Sequence, residues 1–395
     1  MRGRGRSGAG RGELSQRARR ITSWAEGQAG WFLGAVLIGV GLDQYRQWLK
    51  DSQRVRDYQQ EHMDGAVEKA RLEKTPLVSI LVPAWNEAGR LRGCIDSILG
   101  LRYRNKEIIV CAGGSDGSWE EAYEYANRGV IVLRQRPGEG KQAALQRCFE
   151  RSSGEIVYLT DADCILEDEC FEAVLRPVIE GQEEVCTGSW MPVDCQLRNP
   201  LVQIQWAQHL HRELSLPVYV DSLIGCNTAI HGQALQRAGA FLASAPTGTD
   251  FVLSRQLLRK GYKIRFMRRS RVRTHYPDTA RSYWRQSSRW FRNRVTLGFQ
   301  YHQWPEAILH LCAGIVAAFM LAGPLLIWRS RLPLVIWLGA FTRLSLAQLR
   351  MKCLLRSLKI RTPEYVCFLR NLPIGWIALA RGLLESFLPS RRWRW

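Results

Sequence analysis

A chain of 395 residues with 46% hydrophobic content can bury one sizeable catalytic domain and carry further segments, which excludes disorder throughout. Its net charge of +20, from 56 Lys and Arg against 36 Asp and Glu, gathers at the N-terminus, across 255–294 and at 350–361 beside apolar runs. That placement suits an anionic membrane surface or a phosphate-bearing substrate, and the first 20 residues lack the aromatics that a nucleic-acid binder would interleave, so no nucleic-acid partner is expected. The 11 cysteines show neither Cys-x-x-Cys nor His pairing at metal spacing. They read as reduced core residues.

Residues 1–28 form a basic arm with too few apolar groups to fold. Trp31–Leu42 is apolar but shorter than the roughly 20 residues a bilayer span needs, so a membrane helix over 29–50 must borrow its flanks, and 51–74 reads as a linker. From Thr75 the pattern alternates: strand 77–82, helix 90–99, strand 107–112, helix 119–127, strand 130–134, helix 141–150, then strand 156–160 ending on Asp161. This predicts an α/β domain over 75–276 with a mostly parallel sheet, whose ligands sit beyond the carboxyl ends of the strands. An interfacial helix over 277–300 follows, and 301–395 reads as a C-terminal transmembrane region. There 308–328 is long enough to span, while 332–342 and 365–388 are two further spans whose charges, Arg343, Arg370, Arg381 and Glu385, should face protein or a watery cavity.

Four short signatures carry the chemistry: Asp116 in Gly-Gly-Ser-Asp-Gly-Ser, Asp161-Ala162-Asp163, Thr247-Gly248-Thr249-Asp250, and Gln286-Ser287-Ser288-Arg289-Trp290. An isolated Asp-x-Asp is usually a solvated turn. Here it follows an apolar strand, so Asp161 and Asp163 can present oxygens to Mg2+ or Mn2+, which offsets charge building on a leaving diphosphate. Asp250 is placed as a carboxylate base for an acceptor hydroxyl, although it could instead cap the helix beginning at Phe251. In the last motif Gln286, Arg289 and Trp290 share a helix face, with Arg289 suited to a diphosphate and Trp290 to a sugar ring. Tyr283, Trp284, Trp290 and Phe291 alternate with arginines, so the same helix also reads as lying on a membrane surface. The glycine-rich loop 136–140 before Lys141 suits phosphate. His275 is a candidate third metal ligand against an ordinary surface or core histidine.

On these motifs, over about 75–300, the chain resembles the membrane-integrated, often processive family 2 glycosyltransferases, the branch containing cellulose, chitin, hyaluronan and nodulation-factor oligosaccharide synthases. The resemblance implies a GT-A, Rossmann-like fold and inverting transfer from a nucleotide sugar, usually a uridine diphosphate sugar, to a glycan. It implies that Pro83, Ala84, Asn86 and Glu87 form the first nucleotide-binding loop, that Asp116 contacts base or ribose, and that Lys141, Asp161 and Arg289 lie against the donor. Asp163 with Asp161 would then hold the metal, Asp250 would be the base, and Gln286, Trp290, Cys226 and Asn227 would meet the acceptor. The family commonly has Glu before the base; here Thr249 stands there. Transfer to a membrane lipid is the alternative. Donor supply places the catalytic domain on the cytoplasmic side of the cell membrane, against the orientation that the arginine arm and a single crossing at 29–50 would give.

Overall fold

The structure, a computed structural model, describes residues 29–64, 72, 74–243, 247–326, 331–360 and 363–387. The basic arm 1–28 lies outside them, as do 65–71 of the linker.

Strands β1 (Val78–Trp85), β2 (Lys106–Gly113), β3 (Val130–Arg134) and β4 (Ile156–Leu159) run parallel in the order β3-β2-β1-β4, as the helical crossovers between them require. The crossovers are α2 (Leu91–Gly100), α3 (Ser118–Tyr123) and α4 (Gly140–Glu150). Alternation along the strands sorts the core into two layers. Val78, Ile80, Val82 and Ala84 pack with Ile95 and Ile98 of α2 and with Phe171 and Val174 of α5 (Asp168–Ile179). Leu81, Ile109 and Cys111 face the other way, onto Leu145 and Cys148 of α4 and Leu253 and Leu257 of α8 (Thr249–Arg259). Each such aliphatic side chain, fully buried, contributes about 1.5–3 kcal/mol.

Beyond β4 the sheet becomes mixed. β8 (Thr228–His231) is antiparallel to both β4 and β6 (Val185–Pro192), while β9 (Ile264–Thr274) is parallel to β6. The short β5 (Cys164–Ile165) and β7 (Tyr219–Val220) flank β9 antiparallel. Asn227, fully buried, knots this half together. Its Oδ1 accepts from the Tyr158 hydroxyl at 2.9 Å, and its Nδ2 donates to the Ser189 carbonyl at 3.0 Å and to the Ser270 carbonyl and hydroxyl at 3.1 and 2.9 Å.

Helix α1 (Ala29–Asp64) does not stop at residue 50 but continues through most of the expected linker. Its acids face partners: Asp43 meets Arg343 at 3.2 Å, and buried Asp51 holds Arg350, Arg54 and His211. Arg343 and Arg350 lie on α11 (Arg331–Ser357), and His211 on α6 (Pro200–Glu213), so α1 and α11 are tied to the α/β domain. Val55, Ile204, Leu210, Leu355 and Phe368 fill the junction. Among the described residues one helix is long and apolar enough to cross a membrane, Trp304–Leu325 within α10 (Trp304–Leu326), with mean hydropathy 2.1 over its most apolar 18 residues.

Helix α9 (Ala280–Gln300) opens on Thr279, which accepts from the Ser282 N–H. Phe291 and Trp284 are covered by neighbouring helices, while Trp290 is 48% exposed. Phe291, 3% exposed, wedges between Gly314 of α10 and Gly382 of α12 (Tyr365–Ser386), where an added Cβ would stand 2.9 and 2.8 Å from the ring. Trp284 donates to the Ile374 carbonyl at 2.9 Å and Ser288 to that of Ala378 at 3.1 Å. Thus α12 satisfies the Trp284 indole N–H and covers the Phe291 ring. Glu385 of α12 meets Arg292 of α9 at 3.5 Å and Arg381 of its own helix at 2.6 Å, while Arg370 and Arg381 are exposed.

Replacing Asn227 by Ala should cost about 2–3 kcal/mol by stranding buried partners. The check is a lower urea midpoint with an unchanged m-value.

Candidate functional site

Four loops leave the carboxyl ends of β1 to β4 side by side, and the acidic motifs ride on them. Asn86, in the left-handed region at φ 56, turns the chain out of β1 and accepts from the Ser115 N–H at 2.9 Å. Asp116 ties the first two loops: one oxygen accepts from the Ala88 N–H at 3.0 Å, the other from the Ser118 N–H and hydroxyl at 3.1 and 2.6 Å. The loop before α4 is braced by Glu139, which accepts from the Arg136 N–H at 2.8 Å and pairs with Arg147 at 3.2 Å.

Lys141, at the start of α4, reaches the centre. Its Nζ lies 2.6 Å from Asp161 Oδ1 and 4.0 Å from Asp250 Oδ1. Burial alone would lower its pKa, but Asp161 and Asp250 reverse this and raise it, so the ammonium stays charged. Asp163 is pushed up to about 6 by burial and by Asp161, with the Thr274 side chain as a hydrogen-bond partner. Glu87 is raised to about 7 by burial and by Asp163, even though Arg90 is 3.4 Å away. Arg289 of α9 brings a second cation whose field reaches Asp161, Asp250 and Glu87; burial lowers its pKa.

Asp250 sits in the first turn of α8 without capping it; the N-cap position is Gly248. Its carboxylate accepts from the Gly225 backbone N–H and keeps 43% of its side-chain surface open. Desolvation in the cleft and the charge of Asp161 raise its pKa, against Lys141. A Cβ at Gly225 would overlap that carboxylate, so glycine is required there. The preceding loop is latched to α9 by Thr247, whose hydroxyl donates to Asn293 Oδ1 at 2.9 Å, and by Gly248, which lies against Leu297. Through this contact the Gln286–Trp290 segment is delivered to the site, with Gln286 half-buried and Trp290 48% exposed.

The structure thus brings Glu87, Lys141, Asp161, Asp163, Asp250 and Arg289 together. Two expectations are corrected. Asn227 cannot meet an acceptor, because it is fully buried with its amide engaged as described above. Pro83 and Ala84 belong to β1, paired with Cys111 and Ala112 and buried, so the exposed loop begins only after Trp85. Cys226 is half-buried and shares a hydrogen bond with the Cys164 thiol. His275 stands between Arg90 and Asp278, and burial lowers its pKa; among the described residues no three His, Cys, Asp or Glu are grouped to hold a metal ion. Sequence reasoning did not identify Gly225 as the seat of Asp250, nor Asn293 and Thr274, because each acts on a residue more than 20 positions away.

Residues 79–261 match the family described as Glycosyl transferase family 2. The probable glycosyltransferase YdaM of Bacillus subtilis is 24% identical over 241 residues, 57% of this chain and 56% of YdaM. The poly-beta-1,6-N-acetyl-D-glucosamine synthase of Staphylococcus epidermidis is 25% identical over 233 residues, 56% of this chain and 55% of the synthase. The chain spans about half the length of these two relatives. Among solved structures the mannosyltransferase PcManGT of Pyrobaculum calidifontis, in complex with GDP-Man and Mn2+, superposes with a TM-score of 0.54 at 16% identity, covering 90% of this chain and 98% of its own. That likeness shows a GT-A-like fold.

Asp163 keeps its proton in the folded state up to about pH 6, against a reference value of 3.8, so it favours folding below about pH 4 and opposes it as pH rises through 6. Asp163→Asn in chelator should therefore melt higher than wild type at pH 8, with the difference vanishing at pH 4. Equal melting temperatures at pH 8 would contradict this reading.

Proposed function

Because residues 79–261 are a glycosyl transferase family 2 domain, we propose that the protein is an inverting, membrane-embedded glycosyltransferase that extends a glycan from a uridine diphosphate sugar. The observation that carries this is Asp250: an open carboxylate, held by the Gly225 N–H and set across Lys141 from Asp161.

In the reaction Asp250 takes the acceptor hydroxyl proton as that oxygen bonds to the anomeric carbon, and the bond from that carbon to the phosphate oxygen breaks, leaving its electron pair on the diphosphate. The raised pKa of Asp250 brings the base nearer to the working pH. Lys141 and Arg289 carry the positive charge that the leaving diphosphate meets. Asp163 with Asp161 would hold Mg2+ or Mn2+: hard carboxylate oxygens, one of them protonated up to about pH 6 for want of compensating charge, fit such an ion, with diphosphate oxygens completing its shell. Bound there, the ion would supply further positive charge to the diphosphate.

The acceptor side is supported by two features. Trp290 offers an exposed ring one helical turn from Arg289's neighbour Gln286. Beside the same helix a cavity of about 300 Å³ opens between α6, α9, α11 and α12. Its lining is mostly apolar, including Ile204, Phe368, Leu372 and Trp376, with Gln205 and Asn371 among the polar groups and no charged side chain, which suits an uncharged, partly apolar ligand. Transfer to a lipid remains the second reading, favoured by the apolar helix Trp304–Leu325 next to α9. Nucleotide-sugar supply puts the catalytic domain on the cytoplasmic side of the membrane.

Asp250→Asn should lower kcat by about 10²- to 10⁴-fold while leaving donor affinity near wild type. A loss of donor binding in step with kcat would point to misfolding instead.

The deciding experiment supplies the protein, in lipid, with a panel of nucleotide sugars and sizes the product. Wild type should give a ladder of lengths, which Trp290→Ala shortens without changing nucleotide affinity. A single glycolipid band from wild type would overturn glycan extension in favour of the lipid acceptor.

A further inference from the structure

The foot of α10 carries a knot of aromatic rings that the transfer reaction does not use. Trp304, half-exposed, stacks edge-on against Phe299 with centroids 5.3 Å apart, and His302 lies 6.2 Å from it. Tyr301, in the turn between α9 and α10, touches both ends of α8. Its ring is 5.7 Å from that of Phe251 in the first turn, and the Arg259 guanidinium of the last turn lies over it at 5.3 Å. Side chains lean toward a helix's N-terminus, which is how Arg259 reaches back to the same ring.

Phe251 follows Asp250 directly, so the helix that presents the base is clasped at both ends by the residue preceding the apolar segment. Arg259 and its neighbour Lys260 are exposed, and among the described residues neither has an acidic partner. Just beyond, Ile308 and Leu309 of α10 are 51% and 67% exposed. The order along the surface is thus cations, then aromatic rings, then bare aliphatics. Across a bilayer boundary the same order is phosphate, glycerol level and hydrocarbon.

We propose that the phosphodiester of an anionic membrane lipid docks on Arg259 and Lys260 at the foot of α10, so that the bilayer surface itself steadies α8 and the carboxylate of Asp250. This rests on reading Trp304–Leu325 as a membrane span. Charge complementarity names the occupant: two cations with no acidic partner among the described residues, beside a headgroup-level ring cluster, fit an acidic phospholipid better than a zwitterionic one.

The test uses the full chain in nanodiscs of phosphatidylcholine, with phosphatidylglycerol raised stepwise. Native mass spectrometry counts retained phosphatidylglycerol, and sugar transfer is measured on the same samples. Wild type should retain the acidic lipid and gain rate as its fraction rises. R259Q/K260Q should need several-fold more, at about fivefold for each cation, while matching wild type in pure phosphatidylcholine. Equal retention by the two proteins overturns the proposal. So does full stimulation in pure phosphatidylcholine by dissolved inorganic phosphate or glycerol 3-phosphate, which would make the site one for free phosphate. If no nucleotide sugar is ever transferred, the glycosyltransferase reading fails and the mass count still decides this one.

Discussion

Glu87, Asp161, Asp163 and Asp250 share one cleft, where burial raises the pKa values of Asp163, Glu87 and Asp250, Asp161 raises all three further, and Asp163 adds to the rise of Glu87. Such a cluster repels itself, and two cations make it tenable. Lys141 stands 2.6 Å from Asp161 and 4.0 Å from Asp250, while Arg289 sends its charge in from the opposite helix. The rest of the molecule follows from keeping those groups in register: three strand-end loops braced by Asp116 and Glu139, a glycine cleared for the base, and a helix latched to the loop before it.

That latch joins the candidate site to helices α10 and α12. Phe291, locked between Gly314 and Gly382, fixes the rotation of α9 about its own axis, and thereby where Arg289 and Trp290 point. Trp284 and Ser288 reinforce it with bonds to α12 carbonyls, and Glu385 adds an ion pair to Arg292. An amphipathic helix rich in aromatics can rest on lipid or be clad by other helices, and here the second option holds for its apolar face. On the far side Asp51, buried with Arg350, Arg54 and His211, ties α1, α11 and α6 into one body. Charges within apolar helices are tolerated in this chain because they are spent on one another.

The parallel half of the sheet and the positions of the acidic motifs were legible from sequence because both are local. An apolar run of four to eight residues ending in Asp, followed by helical periodicity, places a carboxylate at a strand end whatever the rest of the chain does. The antiparallel insertion of β8 was not legible, since a four-residue strand carries no signal of its own direction. The same limit explains Asn227. A Gly-Cys-Asn-Thr turn reads as exposed from its composition, and only the packing of β4, β6 and β9 around it reveals an amide with every bond internal.

By itself the sequence determined which residue types were available for the chemistry and on which elements they stand: Asp161 and Asp163 at a strand end, Lys141 at a helix start, and Asp250 and Arg289 in helical runs, with an apolar segment after them. Tertiary structure decided which of these meet, because the Lys141 contact with Asp161, the seat of Asp250 on Gly225 and the burial of Phe291 join residues 20 to 90 positions apart. Hydrophobic period and turn chemistry act over a few residues. Charge pairing and steric clearance act across space, so a single chain read end to end does not disclose them.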